Sequence, residues 1–142
     1  MGPILNALVT LQAIENELRT IKQRLQKTRR KVKLQEQRID QLTAALQAKH
    51  EEIKMTRLQS SKLELELKSR EEEINKYRVA LNNAKTNKDY SAILTRINTD
   101  KAEKSKLEEQ VLALMGQIET SQGQCRQIEK DLGEEKDRLE TI

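Results

Sequence analysis

Counting in sevens from Ile4, the chain reads Ile4, Leu11, Leu18, Leu25, Val32, Ile39, Leu46, Ile53, Ser60, Leu67, Ile74 and Leu81. Only Ser60 interrupts the aliphatic run. A second series, offset by three, supplies Ala7, Ile14, Ile21, Thr28, Gln35, Leu42, Lys49, Thr56, Leu63, Arg70, Tyr77 and Ala84. It is apolar near the N-terminus and mixed further on. Two such series sustained over many heptads predict a long helix, from about residue 3 to 83, whose seam packs against another helix. At 1.5 Å per residue that helix would be roughly 120 Å long.

The pattern resumes in a new frame. One series is Tyr90, Ile97, Lys104, Val111, Ile118, Cys125, Leu132 and Leu139, and the other is Ile93, Asp100, Leu107, Leu114, Ser121, Ile128, Glu135 and Ile142. From Ala84 to Ile93 the phase slips by two residues. Continuous coiled coils usually absorb slips of three or four, so the helix is expected to stop and restart. The intervening Asn82-Asn83-Ala84-Lys85-Thr86-Asn87-Lys88-Asp89-Tyr90 carries both signals. Asn82 or Asn83 is suited to a left-handed closing residue, and Thr86 with Asp89 forms a variant capping box. The expected fold is all-α: a long antiparallel coiled-coil helical hairpin, with a turn at 84–88 and helix two from about 88 to 141.

A turn centred on Asn87 sets Leu81 against Ile93, Tyr77 against Ile97, Leu46 against Ile128 and Val32 against Ile142. Small Ala84 then meets large Tyr90 at the tip, and the acidic run at 129–140 lies beside the basic 33–38 region. Two layers fit badly, Arg70 with Lys104 and Ile74 with Asp100, and looser, kinked packing is expected there. Residues 1–31 have no partner within the chain under this register. They carry the cleanest part of the seam: Ile4, Ala7, Leu11, Ile14, Leu18, Ile21 and Leu25. Leaving that stripe in water is unfavourable by roughly 25 cal/mol per Å². Association of two hairpins through Ile4, Leu11, Ile14, Leu18, Ile21 and Leu25 would cover it, as would a continuation of helix two in a longer protein.

Composition supports a rod rather than a globule. The chain has no Phe or Trp, two Tyr, one Pro (Pro3) and 35% charged residues, which leaves too few bulky side chains for a thick core. Abundant Leu, Gln, Glu, Lys, Arg and Ala favour helix over disorder. The single Cys125 excludes an internal disulfide and fits a reducing compartment. Polar residues break up the N-terminal apolar stretch, so neither a signal peptide nor a membrane span is expected, and the cytoplasm is the default address.

Two stretches resemble the N-terminal coiled coil of the bacterial C4-type zinc ribbon domain family. These are Leu8-Val9-Thr10-Leu11-Gln12-Ala13-Ile14-Glu15-Asn16-Glu17-Leu18, and residues 68–119 centred on Thr86-Asn87-Lys88-Asp89-Tyr90-Ser91-Ala92-Ile93-Leu94. The resemblance implies a long, often bent antiparallel hairpin followed by a small ribbon in which two Cys-x-x-Cys pairs hold zinc. It also implies a role in gene regulation or in flagellar or secretion-type assemblies, through protein and RNA contacts. This chain has no such ribbon, so no zinc ligand carries over and no cofactor is expected in it. Where the family has a ribbon, it follows helix two.

Three surfaces are candidates for contact. The tip presents Lys85, Asn87, Lys88, Tyr90 and Arg96 on a rigid support, a common setting for binding; turn chemistry alone is the plainer reading. A basic belt, including Lys22, Lys27, Arg29, Arg30, Lys31 and Lys33, could neutralise phosphates or an acidic partner. Against nucleic acid, no aromatic residue lies nearby to stack on bases. The third surface is the N-terminal seam. Cys125 falls at a core position opposite Lys49, and His50 has no companion metal ligand. Gly116 and Gly123 lie seven apart on the outer face, where they either loosen helix two or admit another helix. Two long helices form no pocket in which nucleophile, base and oxyanion donors converge, so no enzyme activity and no small-molecule substrate are expected. The sequence therefore describes a non-enzymatic interaction scaffold of a zinc-ribbon regulator that binds protein partners. The alternatives are a nucleic-acid-binding accessory using the belt, and a parallel dimeric rod without a hairpin.

Overall fold

The computed structural model describes residues 2–142. These form two α-helices, α1 (Gly2–Asn82) and α2 (Asn87–Thr141), joined by a short turn. Pro3 sits in the first turn of α1, where its missing N–H costs no hydrogen bond. No other proline interrupts either helix. The chain divides into two compact units. One comprises the chain up to Leu46 with Ile128–Ile142, and the other comprises Gln47–Gln127.

The Gln47–Gln127 unit is an antiparallel hairpin, as its cross-helix contacts show by pairing rising numbers with falling ones: Arg70 with Glu103, then Tyr77 with Arg96. Thr86 caps α2, its Oγ1 accepting from Asp89 N–H at 3.1 Å while its carbonyl accepts from Tyr90 N–H at 3.0 Å. That satisfies one of the orphan N–H groups at the helix start. Helix α1 closes differently from expectation. No residue other than glycine adopts a positive φ among the described residues, so neither Asn82 nor Asn83 is left-handed. Instead the last turn tightens, with Asn83 N–H shared between the Val79 and Ala80 carbonyls (3.3 and 3.2 Å) and Ala84 N–H bonded to Leu81 (3.3 Å). Short i→i+3 bonds of this kind satisfy the terminal carbonyls without a left-handed residue.

Burial follows the two seam series closely. Among the non-exposed residues of this unit, only Glu73, Ala80 and Gln122 lie off them. The packing is thin, because two helices cannot enclose a side chain on every side. Ile53, Ile74, Ile97 and Cys125 are the buried apolar residues, and Ser60, Asp100 and Ser121 are buried polar ones. Each buried Ile stabilises the hairpin by about 2 to 3 kcal/mol relative to exposure. Thr56, at a seam position, satisfies its hydroxyl on the Glu52 carbonyl at 2.9 Å.

Of the two layers expected to be loose, that of Ile74 and Asp100 is well buried, while Arg70 and Lys104 remain partly exposed. Asp100 is 1% exposed and Ile74 4%. Arg70 and Lys104 avoid each other by pairing with carboxylates: Arg70 with Asp100 (3.3 Å) and Glu103 (2.8 Å), and Lys104 with Glu71 (3.4 Å). One oxygen of Asp100, Oδ2, has no hydrogen-bond partner.

In the other unit, Val32, Gln35, Ile39, Leu42 and Leu46 of α1 turn inward, as do Ile128, Leu132, Glu135 and Leu139 of α2. Gln35 is buried and donates through Nε2 to the Glu135 carbonyl at 2.8 Å and to the Glu135 carboxylate. Within the acidic run, Glu135 pairs with Gln35 and with Arg138 at 3.1 Å.

Candidate interaction surfaces

Helix α1 is exposed at every described position before Val32. Ile4, Leu11, Ile14, Leu18, Ile21 and Leu25 all belong to this stretch, and Leu18, typical of them, is 51% exposed. Further along α1, the same two heptad series supply the inward-facing residues. The stripe is thus a packing surface of the usual kind lacking its second helix. Leu5, Leu8 and Val9 are also exposed and widen the apolar area near the start. The heptad count passed over them because they fall outside its two series, although their clustering is visible in the sequence.

Lys22, Lys27, Arg29, Arg30, Lys31 and Lys33 are exposed on the same segment or just beyond it. Among the described residues none of them joins an ion pair. Glu15 and Glu17 are the only acids before Glu36. The segment thus combines a hydrophobic seam, a first half whose only charged side chains are Glu15 and Glu17, and a cationic second half. Shallow open grooves cross it, one lined by Leu18, Lys22 and Glu15 and another by Glu17, Ile21 and Arg24.

At the tip, Lys85, Asn87 and Lys88 are exposed. Tyr90 remains 48% exposed, so it meets solvent where the sequence set it against Ala84. Arg96 is engaged: its guanidinium lies over the Tyr77 ring at 5.8 Å from the centroid. That distance is at the outer edge of a cation–π contact. The tip therefore offers two lysines, an asparagine and a tyrosine edge, with a shallow depression between Ala80, Ala84, Asp89 and Ile93.

No family model, no curated protein and no solved structure matches this chain. Its function has to be argued from its own surfaces.

The remaining polar groups are accounted for by packing. Cys125 is buried and unpaired, and the Lys49 ammonium turns to Glu52 at 3.0 Å. His50 is exposed. Among the described residues, no group of three or more His, Cys, Asp or Glu is arranged to hold a metal ion, and no helix is long and apolar enough to cross a membrane. Gly116, Gly123 and Gly133 have open space where a Cβ would be, so nothing approaches them closely. The constellation that sequence reasoning missed is Arg70, Asp100 and Glu103. The signal was present, since Glu71 and Glu103 lie next to the two layers that looked mismatched. With Asp100 on the seam and Arg70 only partly exposed, the cluster is a packing element.

Proposed function

We propose that this chain is a non-enzymatic helical scaffold that binds protein through the uncovered N-terminal stripe of α1, with the tip as a second contact. The single observation behind this is that a continuous aliphatic seam on residues 4–25 lies uncovered, on the helix that uses the same seam for packing further along. Exposed apolar area of that extent usually marks an interaction site. The resemblance to the coiled coil of zinc-ribbon regulators is consistent with such a role in the cytoplasm, and on that reading zinc belongs to a ribbon outside this sequence.

A photoreactive amino acid placed at Leu18 in cells tests the reading. Covalent protein adducts are expected, whether with another copy or with a different protein. An absence of protein adducts despite efficient photolysis would overturn it.

Nucleic-acid binding is the second reading, favoured by six belt cations that lack ion-pair partners among the described residues. It would be sequence-independent and steeply weakened by salt. Fluorescence anisotropy with labelled RNA and DNA at low salt decides it, and no change in anisotropy ends it. The uninterrupted parallel rod is set aside, because α1 ends at Asn82 and the Gln47–Gln127 unit doubles back.

A further inference from the structure

The stripe on residues 4–25 accepts a helix, and the flanking charges say which helix fits. We propose that residues 7–32 of α1 pair antiparallel with the same residues of a second copy, with Leu18 of each facing Ile21 of the other. The proposal rests on the stripe being a protein-binding surface and names its occupant.

In an antiparallel pair, the two seam series alternate across the interface. Centring the pair between Arg19 and Thr20 stacks Leu18 on Ile21, Ile14 on Leu25 and Leu11 on Thr28, each twice by symmetry. The positions flanking the seam then meet their counterparts. Glu15 faces Lys22 and Glu17 faces Arg24, again each twice, giving four attractive contacts and no repulsive one. Shifting by one heptad in one direction sets Glu15 against Glu15 and Glu17 against Glu17. Shifting in the other sets Lys22 against Lys22 and Arg24 against Arg24. A parallel pair would set Glu17 beside Lys22 but also Arg24 beside Arg29, and would run the two cationic halves side by side. The antiparallel one lays each cationic half along the other copy's half that holds Glu15 and Glu17.

The area is adequate. Leu11, Ile14, Leu18, Ile21 and Leu25 are each about half exposed. Covering them removes on the order of 80 to 100 Å² apiece. With the aliphatic stems of Lys22 and Arg24 and the flanking glutamates, each copy would bury roughly 700 Å², close to the ~800 Å² per partner of a standard interface.

Sedimentation equilibrium on the full chain across micromolar to hundred-micromolar concentrations tests the pairing. A dimer is expected. E15K/E17K and K22E/R24E should each raise the dissociation constant about tenfold or more, since exposed surface charges are altered without touching the seam. An equimolar mixture of the two variants should recover wild-type affinity, because all four contacts then join opposite charges. Orientation is read by electron–electron distance between spin labels on Asn6→Cys in a Cys125→Ala background. The proposed register separates the labels by about 40 Å, whereas a parallel pair would hold them within roughly 15 Å. A monomer at all concentrations, a dimer indifferent to the charge swaps, or a short distance would each overturn the proposal. A monomer that still forms adducts with another protein at Leu18 would leave the protein-binding reading intact.

Discussion

Replacing Arg70 with Leu should destabilise the hairpin more than any other single change to a charged residue in the Gln47–Gln127 unit. Asp100 is 1% exposed, its Oδ1 lies 3.3 Å from the Arg70 guanidinium, and its Oδ2 has no partner. Removing the arginine leaves a carboxylate between aliphatic layers with nothing to offset its desolvation. Breaking a buried pair in this way typically costs 3 to 5 kcal/mol. The Arg70 side chain is 36% exposed, so water already screens the pair, and about 2 to 3 kcal/mol is the better figure. Asp100→Leu should behave quite differently. Arg70 keeps Glu103 at 2.8 Å, and the new Leu packs in the layer of Ile74. That variant should lie within about 1 kcal/mol of wild type, and R70L/D100L should equal or exceed wild type, as apolar replacement of buried pairs often does. Urea unfolding followed by far-UV circular dichroism measures all four proteins, and the double-mutant cycle should return a coupling of about 2 kcal/mol. If R70L unfolded at the wild-type urea midpoint, Asp100 would not depend on Arg70, and the account of this layer would be wrong.

Three further outcomes are expected. Thr86→Ala removes the cap on Asp89 N–H and should cost about 1 kcal/mol, with the lost amide protection confined to the first turn of α2 in hydrogen exchange. Gly116→Ala and Gly123→Ala fill open space in a helix interior and should each stabilise by up to about 1 kcal/mol; a loss of stability would mean that something packs against that face in solution. Cys125 is 5% exposed, so a thiol reagent such as Ellman's should modify it slowly in the native protein and rapidly in urea. Equal rates would indicate that the packing around it opens readily.

Much of the fold could be read from the sequence because a coiled coil writes its packing in a repeat. The two series on each side of the turn supply the inward-facing residues from Val32 to Tyr77 and from Ile93 to Leu139 apart from Glu73, Gln122 and Asp131, and the two-residue slip marked where the chain reverses. The layers that looked mismatched are reconciled by geometry. A facing-residue count treats each layer as one residue opposite one other, whereas antiparallel helices interdigitate. Arg70 therefore reaches Asp100, one turn from Lys104, and Lys104 reaches Glu71, next to Arg70. The α1 ending was misjudged because asparagine permits a left-handed residue without demanding one. Of the candidate surfaces, the seam was legible because apolar exposure follows from register alone. The tip was less so: only the structure shows that Arg96 lies over Tyr77 and that Tyr90 meets solvent. A heptad pattern encodes a shape that many helices share, so it names no partner.

The Arg70–Asp100 contact has a consequence beyond its energy. Sliding one helix along the other by seven residues would bring Asp100 to Leu67 or Leu81, and Arg70 to Ile97 or Val111. Either slide would strand both charges among aliphatic neighbours. An all-leucine seam would tolerate such slippage, because each notch would look much like the next. The ion pair works as an index mark that only one alignment of the two helices satisfies, and so it fixes which residues lie at the turn.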